Sequence, residues 1–158
     1  MDADAEALIL FGTAEPPAPR RVLRAGAISA VLDRGQLRYL RHGDVELLRA
    51  ISFTVRDADW GTDAAAIGEV RIDESAEGCR VSYRAVCARA TGSFRYHTTI
   101  ELDAGGRIRF VVEGAADAKF TTNRTGFVVL HPIDGVAGQP VEVLHTDGRL
   151  ESDRKSVV

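Results

Sequence analysis

Apolar and polar residues alternate with a period of two through much of the chain, and short breaks rich in Gly and Asp interrupt the alternation. A period of two puts every second side chain on one face of a strand, so each such run predicts a half-buried β-strand. From Arg20 to Asp57 the chain reads as a series of strands punctuated at Ala25-Gly26, Asp33-Arg34-Gly35 and His42-Gly43-Asp44. In QLRYLRH, Leu37, Tyr39 and Arg41 alternate against Arg38 and Leu40; in ISFTVRD, Ile51, Phe53 and Val55 alternate against Ser52, Thr54 and Arg56. IGEVRIDE sets Ile67, Glu69, Arg71 and Asp73 opposite Gly68, Val70, Ile72 and Glu74, and CRVSYRAVCARA sets Cys79, Val81, Tyr83, Ala85 and Cys87 on one face. Phe94, Tyr96, Thr98 and Ile100 follow, in a phase the sequence leaves open. DAGG at 103–106 then predicts a turn, and with it a hairpin from Phe94 to Glu113.

The segment GFVVLH has apolar residues on both faces, Phe127 and Val129 on one and Val128 and Leu130 on the other. That pattern predicts a strand buried on both sides. In a sandwich one face meets the opposite sheet, so the other needs a loop, a further domain or a ligand to cover it. MDADAEALIL and TDAAAIG have helix-forming composition but are short for a helix standing alone. AEPPAPR is a Pro-rich connector that leaves residues 1–20 as an N-terminal arm or edge strand. QPVEVLHTDGRL predicts a strand and a turn at Asp147-Gly148, after which 151–158 form a polar C-terminal tail with no partner strand in view. Many short strands and no long helix mean an all-β fold, an antiparallel β-sandwich over 21–150, incomplete at its C-terminal side.

Composition narrows the function classes. The chain has 158 residues, 45% hydrophobic and 27% charged, with a formal net charge of -3. That is enough for one domain with a substantial core. No basic cluster interleaves with aromatics, so no nucleic-acid partner is expected. No apolar run approaches a membrane span of about 20 residues, and the acidic N-terminus is unlike a secretory leader. The expected location is therefore cytoplasmic, without a membrane partner. Cys79 and Cys87, eight apart in one extended run, lie about 26 Å apart on a straight strand and are read as buried side chains, not a disulfide or a zinc site.

Candidate chemistry is sparse. Asn123 and Arg124 precede the apolar strand and His131-Pro132 follows it. The fork of Arg124 suits a carboxylate ligand or a structural aspartate equally. Arg124 and His131 lie about 23 Å apart on a straight strand, so one small molecule joins them only if the chain bends at Thr125-Gly126. His131 otherwise just ends a strand. Trp60, the single tryptophan, sits among Asp57, Asp59 and Asp63 and reads either as a stacking platform for a sugar ring or as a plug for the sandwich end. The three carboxylates lack the glycine and terminal glutamate of a calcium loop, so no metal and no cofactor are expected. No pair of acidic residues, nucleophile elbow or phosphate loop identifies a catalytic residue.

Taken together, LRAGAISAVLDRGQLRYLRHGDVELLRAISFTVRDADWGT, FRYHTTIEL and TNRTGFVVLHPIDGVAGQPVEVLHTDG resemble the N-terminal region of the bacterial D-apionate lactonases, from about Val22 to Asp147. The most specific pieces are RDADWGT and NRTGFVVLHP. The resemblance implies a β-sandwich of the galactose-mutarotase-like or glycosidase-appended kind, followed in full-length relatives by a TIM-barrel domain, in enzymes that act on a branched sugar-acid lactone. On that basis the chain is expected to be a truncated structural and domain-docking module, inactive alone because the barrel carries the chemistry. Two alternatives stand beside it. One is a mutarotase-like enzyme using His131 as general acid or base with Arg124 and Trp60, for which His97 and His145 compete; the other is a non-catalytic module binding a sugar acid or its lactone through Trp60, Asn123 and Arg124.

Overall fold

A computed structural model describes residues 3–14 and 19–154. A helix, α1 (Ala3–Phe11), is followed by eleven strands: β1 (Arg20–Ala25), β2 (Ile28–Asp33), β3 (Gln36–His42), β4 (Val45–Arg56), β5 (Ala66–Glu74), β6 (Gly78–Arg89), β7 (Gly92–Asp103), β8 (Ile108–Ala116), β9 (Arg124–Leu130), β10 (Pro140–Leu144) and β11 (Leu150–Arg154). One sheet has the order β1-β2-β3-β4-β9, a second has β5-β6-β7-β8, and β10-β11 form a separate pair. Every pairing is antiparallel. The all-β sandwich predicted by the alternation is the fold.

The core lies between the two larger sheets. Cys79, Val81, Tyr83, Ala85 and Cys87 of β6 all point inward, as the alternation predicted, and Tyr96, Thr98, Ile100 and Leu102 of β7 share that face. They meet Leu23, Ala25, Ile28, Ala30, Leu32, Leu37, Leu40 and Val55 of the other sheet. Both cysteines are free thiols, and burial pushes their pKa values up. The hairpin predicted from Phe94 to Glu113 is present as β7–β8, its register running from Phe94↔Ala116 to Leu102↔Ile108.

Two strands depart from strict alternation. Tyr39 has a φ of +51° inside a shift of the β2–β3 register, between Ser29↔Arg41 and Val31↔Arg38, so Leu37 and Leu40 both reach the core while Tyr39 faces out. Glu69 has a φ of +52° inside a register shift between Gly68 and Arg71, which brings Ile67 and Ile72 onto the same core. One extra residue in a strand reverses every later side chain, so each bulge rescues a pattern that a period of two cannot satisfy.

Three expectations are corrected. The N-terminal arm contains a helix, Ala3–Phe11, in place of an edge strand, while residues 15–18 of the Pro-rich connector lie outside the described residues. The expected polar tail begins within β11, which pairs with β10 from Pro140↔Arg154 to Leu144↔Leu150; residues 155–158 lie outside the described residues. The strand GFVVLH is not buried on both sides. It forms β9 at the edge of its sheet, where Phe127, Val129 and Leu130 are 47%, 46% and 48% exposed. Apolar character on both faces came from one face turned toward an open interior and one turned outward.

Candidate functional site

The end of β4 builds a polar corner. Past Arg56 the chain turns sharply: the Asp57 amide donates to the Gly61 carbonyl at 2.9 Å, and Asp57 Oδ1 accepts from the amides of Asp59 at 2.9 Å and Gly61 at 2.7 Å. A side chain that bonds backbone amides ahead of it is what Asp supplies in turns. A Cβ at position 61 would crowd the Asp57 carboxylate that holds this turn. Trp60 is held with a φ of +68° and stands 52% exposed. Arg56 Nη1 donates to the Trp60 carbonyl at 3.1 Å, and the Arg124 guanidinium lies 5.2 Å from the centre of the Trp60 ring.

Strand pairing explains how Arg124 gets there. Arg56 and Arg124 are direct partners in the β4–β9 register, and the Asn123 amide donates to the Arg56 carbonyl at 3.1 Å. Trp60, Asn123 and Arg124 therefore come together. His131 does not join them. The β4–β9 register runs without a break from Arg56↔Arg124 to Ala50↔Leu130, so no bend occurs at Thr125-Gly126 and His131 stands at the far end of the strand.

The remaining candidates are dispersed. His97 sits on the outer face of β7, opposite Arg84 and Glu113, in a shallow depression that Arg95 also lines. His145 pairs with Glu151 at 3.0 Å within the β10–β11 hairpin. Asp63 turns away from Asp57 to Arg89, whose guanidinium also lies 4.2 Å from the centre of the Phe120 ring. Among the described residues no group of three or more His, Cys, Asp and Glu side chains is placed to hold a metal ion. Arg56 escaped sequence reasoning, because only the pairing of two strands about seventy residues apart makes it a neighbour of Arg124.

A second feature lies along the sandwich edge. β8 and β9 are the last strands of their sheets and face each other without pairing; the rings of Phe110 and Phe127 meet edge to face at 5.1 Å and 75°. Register fixes the direction of these side chains. Phe127 and Val129 pair with Phe53 and Ile51, whose side chains pack on the core, so they point inward too. Phe110 and Val112 pair with the fully buried Ile100 and Thr98 and share their direction. Inward-pointing side chains that remain close to half exposed show that the interior is open along this seam. On the opposite side Leu23 and Ala25 of β1 are covered, at 0% and 3% exposure.

Comparison with known proteins adds a family to this geometry. The family described as D-apionate lactonase, N-terminal domain, matches residues 8–156. A D-apionate lactonase of Brucella anthropi is 39% identical over 150 residues, covering 94% of this chain and 25% of that protein. The chain thus spans about a quarter of the length of the curated relative it matches. No solved structure matches. The matched residues take in the Trp60 corner and the β8–β9 seam alike, and the chain belongs to the D-apionate lactonase N-terminal domain family.

Proposed function

We propose that this chain is the non-catalytic sandwich module of a sugar-acid lactonase and that it works by docking, through the β8–β9 seam, onto the remainder of such an enzyme. The observation that carries the reading is the half-exposed inward face of β9, Phe127 and Val129, above the partly buried Phe110. Side chains aimed into a core but left in water are stabilised by any apolar element that closes the gap. Burying the exposed half of each contributes about 1 kcal/mol at roughly 25 cal/mol per Å². Both neighbouring strands also carry unpaired backbone groups on their free edges, which a sound fold covers.

The occupant we infer is the remainder of such a relative. Three-quarters of the Brucella anthropi protein lies outside the matched region, and that protein is named for lactone hydrolysis. A TIM-barrel domain carrying the catalytic residues at its C-terminal face would fill that length, with a sugar-acid lactone as substrate and the cytoplasm as the setting. Within this scheme the sandwich contributes stability and position.

Hydrolysis of D-apionate lactone by the isolated chain tests the non-catalytic part. The expected result is a rate no higher than spontaneous hydrolysis in buffer. Turnover that His131→Ala abolishes would overturn the reading and return the chain to the mutarotase-like alternative, in which a histidine moves a proton on the sugar.

A further inference from the structure

We propose that Arg56 and Arg124, held against Trp60, form a binding site for a small carboxylate of the sugar-acid class. The inference is independent of docking, because the arginines stand on the outer face of β4 and β9 while the seam opens on the inner one.

Charge is the first argument. Most arginines of the described residues are in ion pairs with Asp or Glu, as Arg80 is with Glu101 and Arg95 with Asp117. Arg56 and Arg124 have no carboxylate within ion-pair distance among the described residues, yet they are direct cross-strand partners. Like charges opposite each other on neighbouring strands repel. The nearest acidic side chain in sequence, Asp57, has Oδ1 engaged by the amides of its own turn. An anion bridging the two guanidinium groups removes the repulsion.

Geometry is the second argument. Both guanidinium groups are anchored on the same residue, one through the Trp60 carbonyl and one over the Trp60 ring. Trp60 itself is held in a left-handed conformation that non-glycine residues seldom adopt, which the Asp57 turn enforces. Arg56 spends one donor on that carbonyl and Arg124 none on a protein oxygen, so both keep edge N–H groups for a carboxylate, the ligand an arginine fork fits. Beside them on the same outer face is the pair Thr54↔Gly126. A Cβ at Gly126 would meet nothing within 4 Å, so the floor next to the arginines is open, with the Thr54 hydroxyl at its side. A polyhydroxylated chain with its carboxylate on Arg56 and Arg124 would lie across this open surface.

Trp60 is the only tryptophan in the sequence, so its emission reports on this corner alone. The test titrates the intact chain with sodium D-gluconate at low ionic strength, with D-glucose and sodium chloride as controls and calorimetry in parallel. The expected result is a saturable change in emission and heat with gluconate only, weakened at least tenfold in Arg56→Gln and in Arg124→Gln. Arg124→Lys, which keeps the charge but not the fork, is expected to fall between, and circular dichroism of each variant checks that the sandwich is intact. Absence of a saturable response to gluconate, an equal response to glucose, or unchanged binding in a folded Arg124→Gln variant would overturn the proposal.

Discussion

Tyr83 joins the two sheets with one atom. Its side chain starts on β6, and its hydroxyl donates to the Gly35 carbonyl in the β2–β3 turn at 2.8 Å. Arg34 and Gly35 both have positive φ, the two-residue turn that matches strand twist, and a Cβ at Gly35 would lie 2.8 Å from that hydroxyl. Burial pushes the phenol pKa up, which keeps the donor protonated. Tyr83→Phe is expected to lower the unfolding free energy by about 1 kcal/mol, the net value of one such bond, read from the denaturation midpoint. Asp117, just past β8, ties the end of that strand to the start of β7 within one sheet. It accepts from the Ser93 hydroxyl at 2.6 Å, the Ser93 amide at 2.7 Å and Arg95 at 2.8 Å, and these partners hold its pKa below the ordinary 3.8. A depressed carboxylate stabilises the fold above its unfolded pKa, and the contribution is lost as pH falls through the folded value. The gap in melting temperature between the native chain and Asp117→Asn should therefore be widest near neutral pH and close as the pH is taken below 3.8.

Single residues also mark what a sequence conceals. The inward face of β6 was legible because five residues from Cys79 to Cys87 alternate without interruption. The faces of β3 and β5 were not, because Tyr39 and Glu69 adopt left-handed backbone without being glycine. Nothing in local composition announces that. Trp60 and Arg124 stood out by residue type, whereas Arg56 became part of their site only through pairing.

At the scale of elements, β9 and the β10–β11 hairpin share one lesson. A strand's apolar residues can be read along the chain, but its place in a sheet depends on how many neighbours it has. GFVVLH was therefore expected to be buried and is an edge. The hairpin stands further out still. Leu144 and Leu150 face each other across it at 72% and 59% exposure, and every residue of β11 is exposed. Two strands without a third or a covering layer are marginal in water. Leu144→Asp should change the stability of the sandwich by no more than about 0.5 kcal/mol. Ile100→Ala, which opens a hole beneath a residue with 0% exposure, should cost about 2–5 kcal/mol. Thermal unfolding of both variants checks the contrast.

For the molecule as a whole, the two sheets close firmly on the β1 side and gape on the β8–β9 side. The chain spans about a quarter of the curated relative's length, so much more chain accompanies the matched region there. The claim that the seam is a docking surface is tested most directly by mixing the chain with the Brucella anthropi lactonase lacking its matched N-terminal quarter, then measuring amide hydrogen exchange. Slowed exchange along Ile108–Ala116 and Arg124–Leu130, abolished by Phe127→Asp, is the predicted result. Unchanged exchange along both strands, or protection confined to surfaces away from them, would contradict it.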